Sequence, residues 1–504
     1  MIVLTGNRLT LEQLIAIARR RETVAIADAA LSRIEASAKM VEAIVADGKP
    51  VYGINTGFGK LSDVRIDKSA VSELQKKLLL SHACGMGDPL PEETVRAMMA
   101  SRINALAKGH SGVRVQTLNK LAELLNADLV PVVFEQGSLG ASGDLALLSS
   151  MALPLLGLGE VFYQNVRMPA SEGLSKAGIE PLMTLAAKEG LALINGTQAM
   201  NAIGALALYD AIDLYHAANL TLSLTLEALQ GIADAFDPDI HRLRGHEGQI
   251  RAAEEVLRFT EGSARLTHQG EIRVQDAYSL RCAPQVHGAV LDTLLRCKAS
   301  VETELNAVTD NPILFPEDGR VISAGNFHGE LLAFAFDFLA IAVSELANIA
   351  ERRIERMVNP QLSGGLPAFL AKCSGINSGF MIVQYAAASI VSENKVLCHP
   401  ASVDSIPSSG NQEDHVSMGT MSARKARTVV DNVRKVLAME WMTACQAIDC
   451  APKGALGTAT KTAYDILRAH VPFIAEDEMM YVHLHKSEAL LKEDALSGLW
   501  SESR

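Results

Sequence analysis

The 504-residue sequence lacks most of what marks an extracellular, nucleic-acid-binding or modular protein. Its seven cysteines are odd in number, scattered between Cys84 and Cys450, and never form a C-x-x-C pair. That argues against a disulfide framework and for reduced thiols. Clustered metal ligands are missing too: the nearest approach, His483-x-His485, has the pattern of a solvated pair, and no metal is expected. No basic stripe occurs, and 46 Lys and Arg against 58 Asp and Glu leave a formal charge of −12. Because nucleic-acid affinity draws on cations that neutralise phosphates, a nucleic-acid partner is disfavoured. Met1 to Arg21 lack the basic region, apolar stretch and small-residue site of a secretory leader, so a cytoplasmic location is expected. Nor does a Pro/Ser-rich linker, a charge block or a repeat cut the chain into modules.

What is present is apolar and helical. With 48% hydrophobic and 21% charged residues the chain can bury a large core. Ala- and Leu-rich stretches poor in Gly and Pro predict long helices over 198–236, 286–308, 328–358 and 424–449, with shorter ones over 11–21 and 92–108. The 328–358 stretch is apolar on nearly every side and reads as a buried helix about 45 Å long. Its acidic and basic residues argue against a membrane span. Val161–Tyr163 and Val166–Met168 predict one small hairpin. The expected class is all-α: residues 1–197 carry loops, and residues 198–504 form a long central helical bundle, the two making one continuous structure.

Chemistry is sought in the polar, glycine-rich segments between helices, where rigid elements hold functional loops. The segment Gly137-Ser138-Leu139-Gly140-Ala141-Ser142-Gly143-Asp144 spaces three glycines by three. It fails as a nucleophile elbow, since Asp144 stands where G-x-S-x-G requires its last glycine. It also fails as a dinucleotide fingerprint, and Gly57-Phe58-Gly59-Lys60-Leu61 lacks the spacing and the Ser/Thr of a phosphate loop. A different chemistry is open to Ala141-Ser142-Gly143. The Gly143 amide nitrogen can attack the Ala141 carbonyl carbon, and Ser142 can lose water to become a methylidene. Ala141 adds little bulk, Ser142 supplies a leaving hydroxyl, and Gly143 offers an unhindered nitrogen on permissive backbone. Taken alone, an Ala-Ser-Gly tripeptide is more simply a turn between helices, so its context decides.

That context resembles the aromatic amino-acid lyase and aminomutase family nearly end to end. The likeness runs through Leu9–Leu14, Tyr52–Gly59, the Ala-Ser-Gly loop, Asn195-Gly196-Thr197-Gln198, Gln275–Cys282, Thr309–Pro312, Gly325–His328 and Asn411–Met418. The resemblance implies a fumarase/aspartase-like helical architecture. It implies a 4-methylidene-imidazol-5-one group formed autocatalytically from Ala141, Ser142 and Gly143, with no diffusible cofactor and no metal. It also implies a homotetramer whose active sites draw loops from more than one chain, acting on a small amino acid with no membrane partner. One departure is visible: where the family reads Leu-Ala-Pro-Leu followed by Ala-His or Ser-His, this chain has Leu145-Ala146-Leu147-Leu148-Ser149-Ser150, a change expected to alter the rigidity beneath the loop and with it the efficiency of ring formation, while leaving the cyclising triad in place.

Carried over by residue, the resemblance makes Tyr52 the base for the substrate β-proton, a role for which the site must favour phenolate or otherwise assist proton loss. It makes Arg281 the clamp on the substrate carboxylate, which a planar, permanently charged fork suits. Asn195 and Tyr278 position substrate and ring, Phe327 packs beside the ring, and Gln275 and Gln412 occupy polar positions near the substrate. Ser81-His82 matches the histidine-selective branch, and the carboxylate of Glu413 can accept from an imidazole or handle the protons of the departing amine. The expected reaction is therefore loss of ammonia from histidine to give trans-urocanate. The alternatives are a tyrosine or phenylalanine lyase or 2,3-aminomutase with the same ring and, more remotely, a helical assembly protein that never cyclises.

Overall fold

The computed structural model describes residues 1–373 and 375–500. Among these the fold is all-α, with eighteen α-helices and nine strands of only two to four residues. The four longest helices are Gln198–Ala228, Ala283–Leu305, Glu330–Val358 and Gly419–Cys450. They match the four predicted ones with shifted ends. The first stops at Ala228 because Gln230 adopts a positive φ of 50° and Gly231 turns its amide back to Leu226 O, leaving 233–236 as a separate 3₁₀ turn. The last begins five residues before Arg424, at Gly419, since the Met418 amide is held by Leu139 O at 3.0 Å and sets the entry of the chain.

Chain contacts divide the molecule into two compact units, with four of the five boundaries inside those four helices and the fifth between His399 and Pro400. The first comprises Met1–Leu206, Lys298–Asp337 and Pro400–Arg424; the second comprises Ala207–Cys297, Phe338–His399 and Lys425–Arg504.

In the first unit the amphipathic Leu11–Arg19 helix, started by a capping box between Thr10 and Gln13, packs on Glu92–Leu106. Every residue from Thr94 to Leu106 is buried, and the two arginines among them survive on acceptors drawn from several segments, although the Arg102 Nε is left without a partner. Arg96 donates to Ile17 O, Leu125 O and Asp128 Oδ1. Arg102 donates to Gln198 Oε1 at 2.8 Å, to Ala192 O, and to Asn195 O at 2.9 Å. Burial pulls both guanidinium pKa values down to about 10. Buried charge of this kind fixes geometry where a purely apolar core would allow slippage. The predicted hairpin forms between Glu160–Tyr163 and Val166–Pro169, and Val130–Pro131 adds a third antiparallel strand.

The second unit is organised around a buried polar chain. Glu440 pairs with Arg353 and accepts the hydroxyls of Thr221 at 2.7 Å and Thr225 at 3.0 Å. His287 Nδ1 meets Asn219 Oδ1 at 2.6 Å, and Asn219 donates to Glu255 at 2.7 Å. Thr221 and Thr225 are one helical turn apart, so both hydroxyls reach one carboxylate. Burial and the neighbouring Arg353 hold His287 well below the usual histidine pKa, keeping it neutral.

The Glu330–Val358 helix is less enclosed than its composition predicts. An 18-residue window with mean hydropathy 1.7 is long and apolar enough to cross a membrane, yet 72% of it is buried inside the protein. One face nevertheless exposes Leu331, Phe334, Phe338 and Ile341, a helical spacing that makes a continuous apolar stripe.

Candidate active site

The Ala-Ser-Gly loop is pinned from both sides. On one side Met418 N donates to Leu139 O, and Ser417 Oγ donates to Gly140 O at 3.3 Å. On the other, Asp144 N donates to Gly196 O at 2.8 Å. Asp144 is fully buried at the start of the Leu145–Ala152 helix. Its Oδ1 accepts the hydroxyls of Thr420 at 2.5 Å and Ser138 at 2.9 Å, and its Oδ2 accepts the amide of Met200 at 2.8 Å. Burial raises its pKa, while these hydrogen bonds and one from Ala199 oppose the shift. Ser138 Oγ also reaches Gly143 O at 3.3 Å, so the segment is held as a bow between fixed ends.

Gly143 explains why its position tolerates no side chain. It sits at φ +75°, and a Cβ there would lie 2.1 Å from Gly196 O. Ala141 is buried in a cluster with Val416 and Met418. The Ser142 hydroxyl donates to Glu413 Oε1 at 2.8 Å, and the Ser142 carbonyl accepts from Asn195 Nδ2 at 3.1 Å. Asn195 is held in turn through its own carbonyl by Arg102, while its buried Oδ1 has no hydrogen-bond partner. A bow-shaped Ala-Ser-Gly with its serine hydroxyl and carbonyl both engaged, next to an orphaned amide oxygen, fits a self-formed ring at this position.

Two cavities meet at this loop, of about 490 and 620 Å³. Tyr52, Gly59, Ser142, Asn195 and Glu413 line both. The first is otherwise walled by apolar side chains such as Leu74, Leu78, Leu145 and Leu191, and carries Ser81 and His82. The second carries Phe327, Gln412 and Asn311. His82 ends the Val71–His82 helix, its Nδ1 lies 2.9 Å from Ser81 Oγ, and burial lowers its pKa, keeping the ring neutral near pH 7. Tyr52 Oη accepts the Gly59 amide at 3.4 Å. Its pKa lies above the usual phenol value, chiefly through burial and then through the negative charges of Glu413 and Asp310. The surrounding protein therefore does not favour phenolate, contrary to the first of the two conditions that a basic Tyr52 allowed.

Seven of the twelve predicted site residues line these cavities, Tyr52, His82, Ser142, Asn195, Phe327, Gln412 and Glu413, and Ala141 and Gly143 flank Ser142, packed against Val416 and Met418 and bridged to Gly196. Gln275, Tyr278 and Arg281 do not line them. They lie in the second unit, where Tyr278 is 70% exposed, Arg281 stacks over its ring at 4.6 Å, and Arg281 Nε donates to Asp276 O at 3.0 Å. The departures at Leu147 and Ser150 leave the helix beneath the loop unbroken. Leu147 is buried in its first turn, where a proline would have had no bond to lose, and Ser150 Oγ donates to Ala146 O at 3.2 Å.

Sequence reasoning passed over Ser408, whose hydroxyl donates to Glu413 Oε2 at 3.0 Å. It also passed over the fully buried ion pair of Lys188 Nζ with Asp310 Oδ2 at 2.5 Å. Asp310 lay within a recognised motif without a role, and no local signal marked Lys188 or Ser408.

An all-α scaffold that presents an Ala-Ser-Gly turn, a half-buried phenol and a carboxylate on one cavity wall is the architecture of a carbon–nitrogen lyase. The aromatic amino acid lyase family model matches residues 9–469. A curated histidine ammonia-lyase from Clostridium tetani is 56% identical over 499 residues, covering 98% of this chain and 96% of that protein. Among solved structures, histidine ammonia-lyase from Trypanosoma cruzi is 44% identical with a TM-score of 0.92, covering 99% of this chain and 95% of that one. Tyrosine aminomutase from Streptomyces globisporus is 38% identical with a TM-score of 0.96, covering 99% and 98%. The chain belongs to the aromatic amino acid lyase family.

Proposed function

We propose that this enzyme removes ammonia from L-histidine to give trans-urocanate, with a methylidene-imidazolone formed from Ala141, Ser142 and Gly143. The observation that carries the reading is the Ser142 hydroxyl set 2.8 Å from the Glu413 carboxylate on a wall shared with Tyr52, in a cavity that also holds His82. The higher identity to histidine ammonia-lyases than to the aminomutase supports the choice of substrate. The near-equal TM-scores do not discriminate, because one scaffold hosts both chemistries.

The ring, held by Asn195 and Asp144, would supply an electrophile that makes the substrate nitrogen a better leaving group. Tyr52 accepts the β-proton at Oη. Because its pKa is raised, proton loss from the phenol precedes that step and is favoured at higher pH. Glu413 handles the amine's protons at Oε1, and neutral His82 faces the imidazole across the apolar pocket. Phe327 and Gln412 close the second cavity. Gln275, Tyr278 and Arg281 complete the site from another copy of the chain, with Arg281 gripping the carboxylate. The exposed stripe of Leu331, Phe334, Phe338 and Ile341 supports burial against such copies in a homotetramer. The enzyme works in the cytoplasm.

The test is product identification from L-histidine, L-tyrosine and L-phenylalanine, paired with intact mass. Urocanate from histidine and a chain lighter by two waters are expected. Absence of urocanate, or β-amino acid products from tyrosine or phenylalanine, would transfer the reading to the aminomutase or phenyl-selective branch. Full unmodified mass in active protein would remove the ring.

A further inference from the structure

The Glu413 carboxylate has two hydroxyl partners, one on each oxygen: Ser142 Oγ at 2.8 Å from Oε1 and Ser408 Oγ at 3.0 Å from Oε2. Their fates differ. Formation of the methylidene breaks the Ser142 Cα–H and Cβ–Oγ bonds, makes the Cα–Cβ double bond, and releases Oγ as water. Oε1 thereby loses its donor and is left facing the cavity, where a substrate nitrogen would arrive, while Oε2 keeps Ser408.

The backbone around Ser408 is built for this. Ser408 N donates to Glu413 O at 2.9 Å and Glu413 N donates to Ser408 O at 3.3 Å, so the two residues close a four-residue loop with a reciprocal pair. Between them Ser409, Gly410 and Asn411 all take positive φ, at 51°, 60° and 66°, a left-handed run that L-residues adopt only when their surroundings over-determine it. The turn also abuts the Tyr52 loop: a Cβ on Gly59 would lie 2.6 Å from Ser409 Oγ, and it is the Gly59 amide that donates to Tyr52 Oη.

We infer that Ser408 is a positioning residue which, once Ser142 has been dehydrated, alone among the described hydroxyl groups orients the Glu413 carboxylate toward the substrate nitrogen and toward Tyr52. The inference rests on the reading of Glu413 in the proposed function. A hydrogen bond to a charged acceptor contributes enough that its loss lowers kcat/KM about ten- to a hundredfold.

Ser408→Ala, Ser408→Thr and native enzyme are compared by intact mass and by urocanate production. Ser408→Ala is expected to lose two waters as the native chain does, and to show the drop in kcat/KM. Ser408→Thr, which keeps a hydroxyl on the same Cβ, is expected to restore it. A binding measurement avoids both maturation and turnover: L-histidine should bind Ser142→Ala more tightly than Ser142→Ala/Ser408→Ala in calorimetry. Native-like kcat/KM in ring-bearing Ser408→Ala, equal affinities in the calorimetric pair, or failure of Ser408→Thr to rescue would each overturn the inference. A native enzyme inactive on histidine would overturn the reading beneath it, and the inference with it.

Discussion

Lys188 and Asp310 make the most exacting test of how the site is supported. Both are essentially solvent-free, at 0% and 2% exposure, and their charged atoms lie 2.5 Å apart. Lys188→Met keeps an unbranched side chain one heavy atom shorter and leaves the αL strain at φ 65° unchanged, since neither residue is glycine. What changes is Asp310. Its Oδ1 retains the Asn311 amide at 2.7 Å, but Oδ2 loses its ammonium and faces protein instead of water. Removing one member of a buried pair costs about 3–5 kcal/mol, because the remaining charge is uncompensated. Lys188→Met/Asp310→Asn should recover much of that, since the amide oxygen can still accept from Asn311 and only the buried Arg102, whose charge Asp310 also favours, loses an anion, giving a coupling of at least about 2 kcal/mol. The measurement is denaturant unfolding of the four proteins in the cycle, read as free energies only where near- and far-UV circular dichroism transitions coincide. If the double variant is as unstable as Lys188→Met, or if Lys188→Met costs under about 1 kcal/mol, the reasoning about the buried pair is wrong. The cycle also reports on the site, because Asp310 is one of the negative charges that keep the Tyr52 phenol protonated. In Asp310→Asn the rising limb of the pH–rate profile should move to lower pH.

Three further outcomes are expected. Gly143→Ala places a methyl 2.1 Å from Gly196 O at a positive φ, and should leave the helical circular dichroism intact while intact mass shows no loss of two waters. Tyr52 has a raised pKa through burial and neighbouring anions, so the phenolate fraction climbs with pH throughout the neutral range and kcat/KM should rise with it. Tyr52→Phe should retain the ring by mass yet lose about 10²–10⁴-fold in rate, and a pH-independent native profile would contradict this. In the second unit, Glu440→Gln leaves Arg353 buried without its anion and should lower the unfolding free energy by about 3–5 kcal/mol. A thermal midpoint unchanged from native would show that the pair is dispensable.

The Ser142–Glu413 contact shows why no reading of spacing could have assembled this site. The two residues are 271 positions apart, and the segments that carry them come together only because Met418 and Asp144 are each tied to backbone on the far side of the loop. The same holds for the pKa of Tyr52. Residue type permitted either protonation state, and burial beside Glu413 and Asp310 decided the direction.

What residue order alone determined was local. Ala- and Leu-rich runs specify helices because propensity and apolar periodicity act within a few turns, and Ala141-Ser142-Gly143 contains every atom needed for its ring. Helix ends were misread where distant contacts intervened, as at Gly419, held near Leu139, and at Ala228, where Gln230 takes an unfavoured φ. Only the tertiary structure decided that Ser408 grips Glu413, that Lys188 pairs with Asp310, and that Gln275, Tyr278 and Arg281 belong to the other compact unit and do not line the two cavities. Hydrogen bonds and buried charges depend on distance and desolvation, and neither quantity is written in the order of residues.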